Sequence, residues 1–262
     1  GMVKFIRKVI VGTLLIEGVG ALLYMTVFVP EFGAEGVWIS LFNAVSAFCN
    51  AGMDVISENS LYAYVHNPVI NLVTILLIVF GGIGYIVWWD LVGALKNIRR
   101  QRLRCFTNLT FHSKIALSVT GILILAGTAA IFVFEYNNPL TIGSFSFIDK
   151  LQASLFQSVT TRTAGFATIP QEDLTNASAI ASLLLMFIGG SPVGTAGGIK
   201  TVTFAVLITS AFATMKTHAE AELFHRTIPK HAVSKAVAVV SMAFIILFTA
   251  TLLLSAVTDA DA

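Results

Sequence analysis

Two short segments share a pattern suited to holding a cation with backbone oxygens: SLFNAVSAFCNAGM, Ser40 to Met53, and SLFQSVTTRTAGF, Ser154 to Phe166. In each, an apolar stretch of helical character, Val37 to Cys49 or Asp149 to Thr161, runs straight into a small-residue turn, Asn50-Ala51-Gly52 or Thr163-Ala164-Gly165. Carbonyl oxygens can replace the hydration shell of a cation. Glycine lets the chain adopt the dihedrals that turn those oxygens inward without a side chain blocking the path. The negative C-terminal end of each short helix would point at the same cation. A third segment, GGSPVGTAGGIKT from Gly189 to Thr201, packs Gly189, Gly190, Gly194, Gly197, Gly198 and Pro192 ahead of Lys200. Proline costs about 3 kcal/mol and each glycine about 1 in a helix interior, so a helix must open there.

The elements that carry these segments are apolar. Of the 262 residues, 56% are hydrophobic and 11% charged, and the mean hydropathy is +0.85, outside the range of soluble domains. Stretches long enough to span a bilayer run over Val9–Val29, Val69–Trp89, Ile115–Phe134 and Val233–Val257. Ala177–Met215 is too long for one span and is interrupted in its middle. The segments before the two turns are too short to cross and read as re-entrant half-helices. Non-helical backbone at that depth is tolerated only when buried in protein or lining a watery cavity. The two copies are a repeat, each within a helix, loop, helix unit, with one residue lost between the Ser-Leu-Phe start and the Ala-Gly pair of the second. The fold class is therefore an all-α membrane protein of helix, re-entrant pore loop, helix repeats, with a broken helix in the second. Its units are 1–100, 101–232 and a further first helix, 233–262.

Charge sets the orientation, since basic residues near span ends stay cytoplasmic. Lys4, Arg7 and Lys8, then Lys96, Arg99, Arg100, Arg102, Arg104 and Lys114, then Lys216, Arg226, Lys230 and Lys235 fall on one side. Glu31, Glu35, Asp54, Glu58, Glu135, Asp149, Glu172 and Asp173 fall on the other, with Lys150 and Arg162 as their basic company. The amino terminus is expected in the cytoplasm. Topology accounts for the net charge of +2, and no nucleic-acid partner is implied. Cys49 and Cys105 fall on opposite sides and cannot pair within one chain.

Other readings are weaker. Single segments of this kind are often interfacial helices, but two copies in one context favour pore loops. Close packing through small residues suits Gly81, Gly82 and Gly84 in the second span. In GTAGGIKT, Ile199 breaks the phosphate-loop spacing, and no strand precedes it. His66, His112, His218, His225 and His231 lie in loops or helix ends, and Ser191 has no evident base, so an enzyme is a poor fit. A secondary cation transporter with discontinuous helices is the nearer rival, although its repeats would be inverted. Lys200 at membrane depth is a functional candidate that would repel ions or pair with a carboxylate. Glu17 reads as a structural hydrogen-bonding group.

SVTTRTAGF, SAFCNAGM, GGIGY with the following WWD (Gly81 to Asp90) and TAGGIKT together resemble the Trk/Ktr/HKT potassium transporters, most nearly the bacterial Ktr/Trk pore subunit in its second and third repeats. The resemblance implies potassium uptake across the cell membrane through a pore of four such loops. Asn50, Ala51, Gly52, Thr163, Ala164 and Gly165 would form the filter, with K⁺ at their carbonyls. Gly189, Gly190, Gly194, Gly197, Gly198 and Lys200 would form an intramembrane gate. It also implies a cytosolic nucleotide-binding regulatory subunit of RCK/KTN type, a homodimer, and no cofactor beyond the transported K⁺ or Na⁺. Met53 stands where the family usually has Phe and is expected to alter packing behind the filter. With two filter loops present, the chain reads as a fragment of a four-repeat protein. A parallel dimer contributing two loops per chain is the lesser alternative.

Overall fold

The computed structural model describes residues 2–57, 59–96, 109–216, 221–224 and 226–257. Glu58, Arg99, Arg100, Arg102, Arg104, Cys105, His218 and His225 lie outside the described residues. The regular elements among the described residues are helices apart from one antiparallel pair of two-residue strands: α1 (Met2–Phe32), α2 (Glu35–Phe48), α3 (Pro68–Ile83), α4 (Tyr85–Lys96), α5 (Phe111–Glu135), α6 (Phe147–Thr160), α7 (Asn176–Phe187), α8 (Thr201–Met215), β1 (Glu222–Leu223), β2 (Arg226–Thr227) and α9 (Lys230–Val257). Helices α1, α5 and α9 are long and apolar enough to cross a membrane by themselves.

Polar side chains cap the starts of α3, α5, α6 and α7. Asn67 accepts from the Val69 and Ile70 amides ahead of α3, with Pro68 in the first turn, where its missing N–H costs nothing. Thr110, Ser146 and Thr175 cap α5, α6 and α7 through the amides of Ser113, Asp149 and Ser178.

The expected second span, Val69–Trp89, is not one helix. It breaks at Gly84, whose φ of +87° only glycine adopts readily, and α3 and α4 meet at 104°. The Trp88 indole donates to the Phe80 carbonyl across the bend at 2.8 Å. Close packing accounts for Gly81, where a Cβ would overlap the Phe48 carbonyl oxygen, and adds to the positive φ at Gly84, where one would lie 2.5 Å from the Pro192 carbonyl oxygen. The Ala177–Met215 stretch is interrupted from Ile188 to Lys200, between α7 and α8.

One apolar cluster joins these elements, with Tyr24 and Phe28 of α1, Ile39 and Phe48 of α2, Ile70 and Leu77 of α3, and Phe156 of α6 at its centre. Within it the Tyr24 hydroxyl and Thr74 Oγ1 lie 2.6 Å apart. Tyr64, in the 3₁₀ turn Tyr62–Tyr64, stacks edge-on against Phe28 and donates to Glu31. Burial, then the Glu31 carboxylate, pushes its phenol above the usual range, so it stays a donor. Almost the whole surface of α9 faces outward.

Candidate functional site

The two short helices reach their turns through matching bonds. The Ser40 hydroxyl donates to the Gly36 carbonyl and Ser154 to Lys150, each one turn back. The Ser46 and Thr160 carbonyls then close the last turn, accepting from the Ala51 and Ala164 amides at 2.9 Å. One closure spans five residues and the other four, so the residue lost between the repeats was lost here and the turns keep one geometry. Left-handed φ values occur at Asn50 (53°) and Gly52 (65°), and at Thr163 (72°) and Gly165 (96°), but not at Ala51 or Ala164. Alternation of hand aligns successive peptide groups, with amides to one side and carbonyls to the other.

The two turns abut. A Cβ at Gly165 would lie 3.2 Å from Gly52 Cα, and one at Gly52 would overlap the Ala164 carbonyl oxygen. The return segments also join: the Leu61 amide donates to the Ala167 carbonyl at 2.9 Å, and the Ala167 amide to Ser60 Oγ. Farther along, His66 Nδ1 lies 3.2 Å from the Asp149 carboxylate, and its ring stacks on Phe145.

The glycine-rich loop, Ile188 to Lys200, docks on three supports. On the first turn, Asn50 Nδ2 donates to Thr195 Oγ1 at 2.7 Å, and Thr195 Oγ1 donates to the Phe48 carbonyl at 2.8 Å. At the bend after α3, the Ser191 and Thr195 amides donate to the Gly82 and Gly81 carbonyls, and the Tyr85 amide to Val193. The two interrupted helices thus satisfy each other's freed backbone groups, which membrane depth demands. On the second turn, Arg162 donates to the Gly189 carbonyl at 3.0 Å, and the Gly197 amide to Thr163 Oγ1 at 2.9 Å. The loop's arms cross where a Cβ at Gly189 would overlap the Gly197 carbonyl. Thr163 and Val193 are β-branched residues at positive φ. Such strain costs about 1–3 kcal/mol each and collects at functional sites.

Several expectations change here. Arg162 is not an exposed outer-loop residue: it is 6% exposed, at the end of α6. A charge inside SVTTRTAGF at membrane depth was the available signal. Lys150 is also buried, with Nζ donating to the Tyr136 carbonyl. Lys200 pairs with no carboxylate among the described residues; its Nζ donates to the loop's own Ala196 carbonyl at 2.6 Å. Glu17 makes no hydrogen bond with another described residue. Met53 does not pack behind its turn: it is exposed, whereas Phe166 is buried in the core. Asn50 was expected to act through its backbone and Thr195 stood only within TAGGIKT, whereas the structure joins turn and loop through their side chains.

Residues 2–261 match the family model described as TrkH, cation transport protein. The chain belongs to the TrkH cation transport protein family. It is 38% identical over 237 residues to the potassium/sodium uptake protein NtpJ of Enterococcus hirae, covering 90% of this chain and 50% of that protein. It is 37% identical over 249 residues to the Ktr system potassium uptake protein B of Bacillus subtilis, covering 95% and 54%. The chain therefore spans about half the length of the curated relatives it matches. The potassium transporter TrkH from Vibrio parahaemolyticus superposes with a TM-score of 0.75 at 18% identity, over 95% of this chain and 50% of that one. That likeness shows the all-helical membrane fold.

Proposed function

We propose that this chain forms two of the loops of a potassium uptake pore, with the carbonyls of Asn50-Ala51-Gly52 and Thr163-Ala164-Gly165 as ligands and the Gly189–Lys200 loop as gate. The observation that carries the reading is the abutment of the two turns, in the same alternating conformation, at Gly52 and Gly165. Two short helices end there, and their dipoles favour a cation. The names of the relatives, potassium/sodium uptake protein and Ktr system potassium uptake protein, support potassium as the ion and leave sodium as a companion.

The loop suits a gate because individual hydrogen bonds fasten it to both turns and to the α3 bend. Small inputs of free energy can shift such a contact set. The word "system" in the relatives' names accords with a cytosolic nucleotide-binding subunit of RCK/KTN type as the source of that input. A homodimer in the cell membrane, amino terminus inside, completes the reading.

The test is deletion of Val193–Gly198 in the full-length protein, with initial rates of rubidium uptake in cells lacking their own potassium uptake. The expected result is a larger flux that depends less on the regulatory subunit. Normal insertion with unchanged regulated flux would remove the loop from the gate.

A further inference from the structure

Between the two turns, α3, α5, the end of α6 and the loop lies a small cavity with ≈ 10 Å³ of room for a water-sized occupant; Asn50, Thr120 and Arg162 are its polar side chains, and Ile78, Ile83 and Val159 are among the apolar ones that line the rest. Three side-chain atoms of these residues are buried and have no protein hydrogen-bond partner: Asn50 Oδ1, Thr120 Oγ1 and Arg162 Nε. Arg162 and Thr120 are 6% and 5% exposed. The Asn50 amide has one orientation, because its nitrogen faces the Phe48 and Ile78 carbonyls, which only accept.

We infer that this cavity binds one water molecule that accepts from Arg162 Nε–H, donates to Asn50 Oδ1 and shares a bond with the Thr120 hydroxyl. A buried water makes about three such bonds, and the volume is about that of one water. Other occupants fit worse. A cation would face the guanidinium with two neutral oxygens as its side-chain ligands, and an anion would face the Asn50 oxygen. The water also explains how a guanidinium with no carboxylate at ion-pair distance among the described residues is kept in place. One end of Arg162 holds the Gly189 carbonyl and the other is held by the water. Arg162 is thus a positioning residue that joins both turns to the loop. The site stands on hydrogen bonding within the chain, whatever ion the pore passes.

The experiment is a crystal structure of the full-length protein at a resolution that shows ordered water, grown with rubidium and bromide. The expected result is a peak within about 2.6–3.2 Å of all three atoms, with no anomalous signal from either ion. An anomalous peak, an apolar void, or a side chain from elsewhere in the protein filling the cavity would overturn the assignment. Thr120→Val keeps the shape and removes the hydroxyl, whereas Thr120→Ser keeps the hydroxyl. Hydrogen exchange across residues 188–200 should speed up roughly tenfold in the valine variant, the effect of losing one buried hydrogen bond, and stay at the parent rate in the serine variant. Equal exchange in the valine variant and the parent would show that the water does not position Arg162.

Discussion

Gly52 and Gly165 occupy equivalent places in the repeat, yet the structure makes them unequal under the same substitution. An alanine at either position must hold a left-handed backbone, at φ of +65° and +96°, which costs an L-residue about 1–2 kcal/mol. At Gly165 the new methyl would sit 3.2 Å from Gly52 Cα, a contact that a shift of a few tenths of an ångström relieves. Gly165→Ala should therefore weaken the paired turns about tenfold. At Gly52 the methyl would overlap the Ala164 carbonyl oxygen and lie 2.7 Å from Gly165 Cα. Both are backbone atoms of the opposite turn and cannot rotate away. Overpacking of this kind adds about 1–3 kcal/mol, for a total of about 2–5 kcal/mol, or about 300-fold at its middle. Initial rubidium uptake by the full-length variants, in cells lacking potassium uptake and normalised to protein in the membrane, should fall about thirty times further for Gly52→Ala than for Gly165→Ala. The sodium-to-rubidium ratio should rise in both. Equal losses, or a larger loss at Gly165, would refute the argument that the turns meet in this way.

Lys200→Met removes the charge-assisted bond to the Ala196 carbonyl, worth about 1–2 kcal/mol at a half-buried site, and should raise regulator-independent flux several-fold in proteoliposomes. Glu135→Gln should lower the unfolding temperature of the detergent-solubilised protein by several degrees. Its buried carboxylate accepts from Asn138, Thr141 and both the amide and hydroxyl of Thr175, and an amide would turn an N–H₂ toward those donors, at about 1–3 kcal/mol; an unchanged midpoint would mean the cluster is dispensable. With Cys49 and Cys105 replaced, a cysteine at exposed Glu172 should react with an impermeant thiol reagent on whole cells, and one at exposed Lys230 only after lysis; the reverse pattern would invert the topology.

Composition and periodicity by themselves determined the solvent, the repeat, the short helices and the position of the broken span, because each depends on local chain chemistry. A run of apolar residues has one favourable environment, and a proline with five glycines cannot continue a helix whatever surrounds it. The expected ends of both short helices, Cys49 and Thr161, fall one residue from the observed ones, Phe48 and Thr160, since a small-residue turn stops a helix locally. Tertiary structure decided the rest. Gly84 breaks the second span because the Pro192–Gly194 backbone occupies the space beside it, a contact more than a hundred residues away in the chain. Arg162 counted as one more basic residue until the fold buried it between the second turn and the loop. Asn50 and Thr195, ordinary in composition, became a joint only when the loop came to rest on the first turn at 2.7 Å. Hydrogen bonds at membrane depth must be satisfied within the protein, and which partner satisfies each one is a property of the packed chain that residue order alone does not encode.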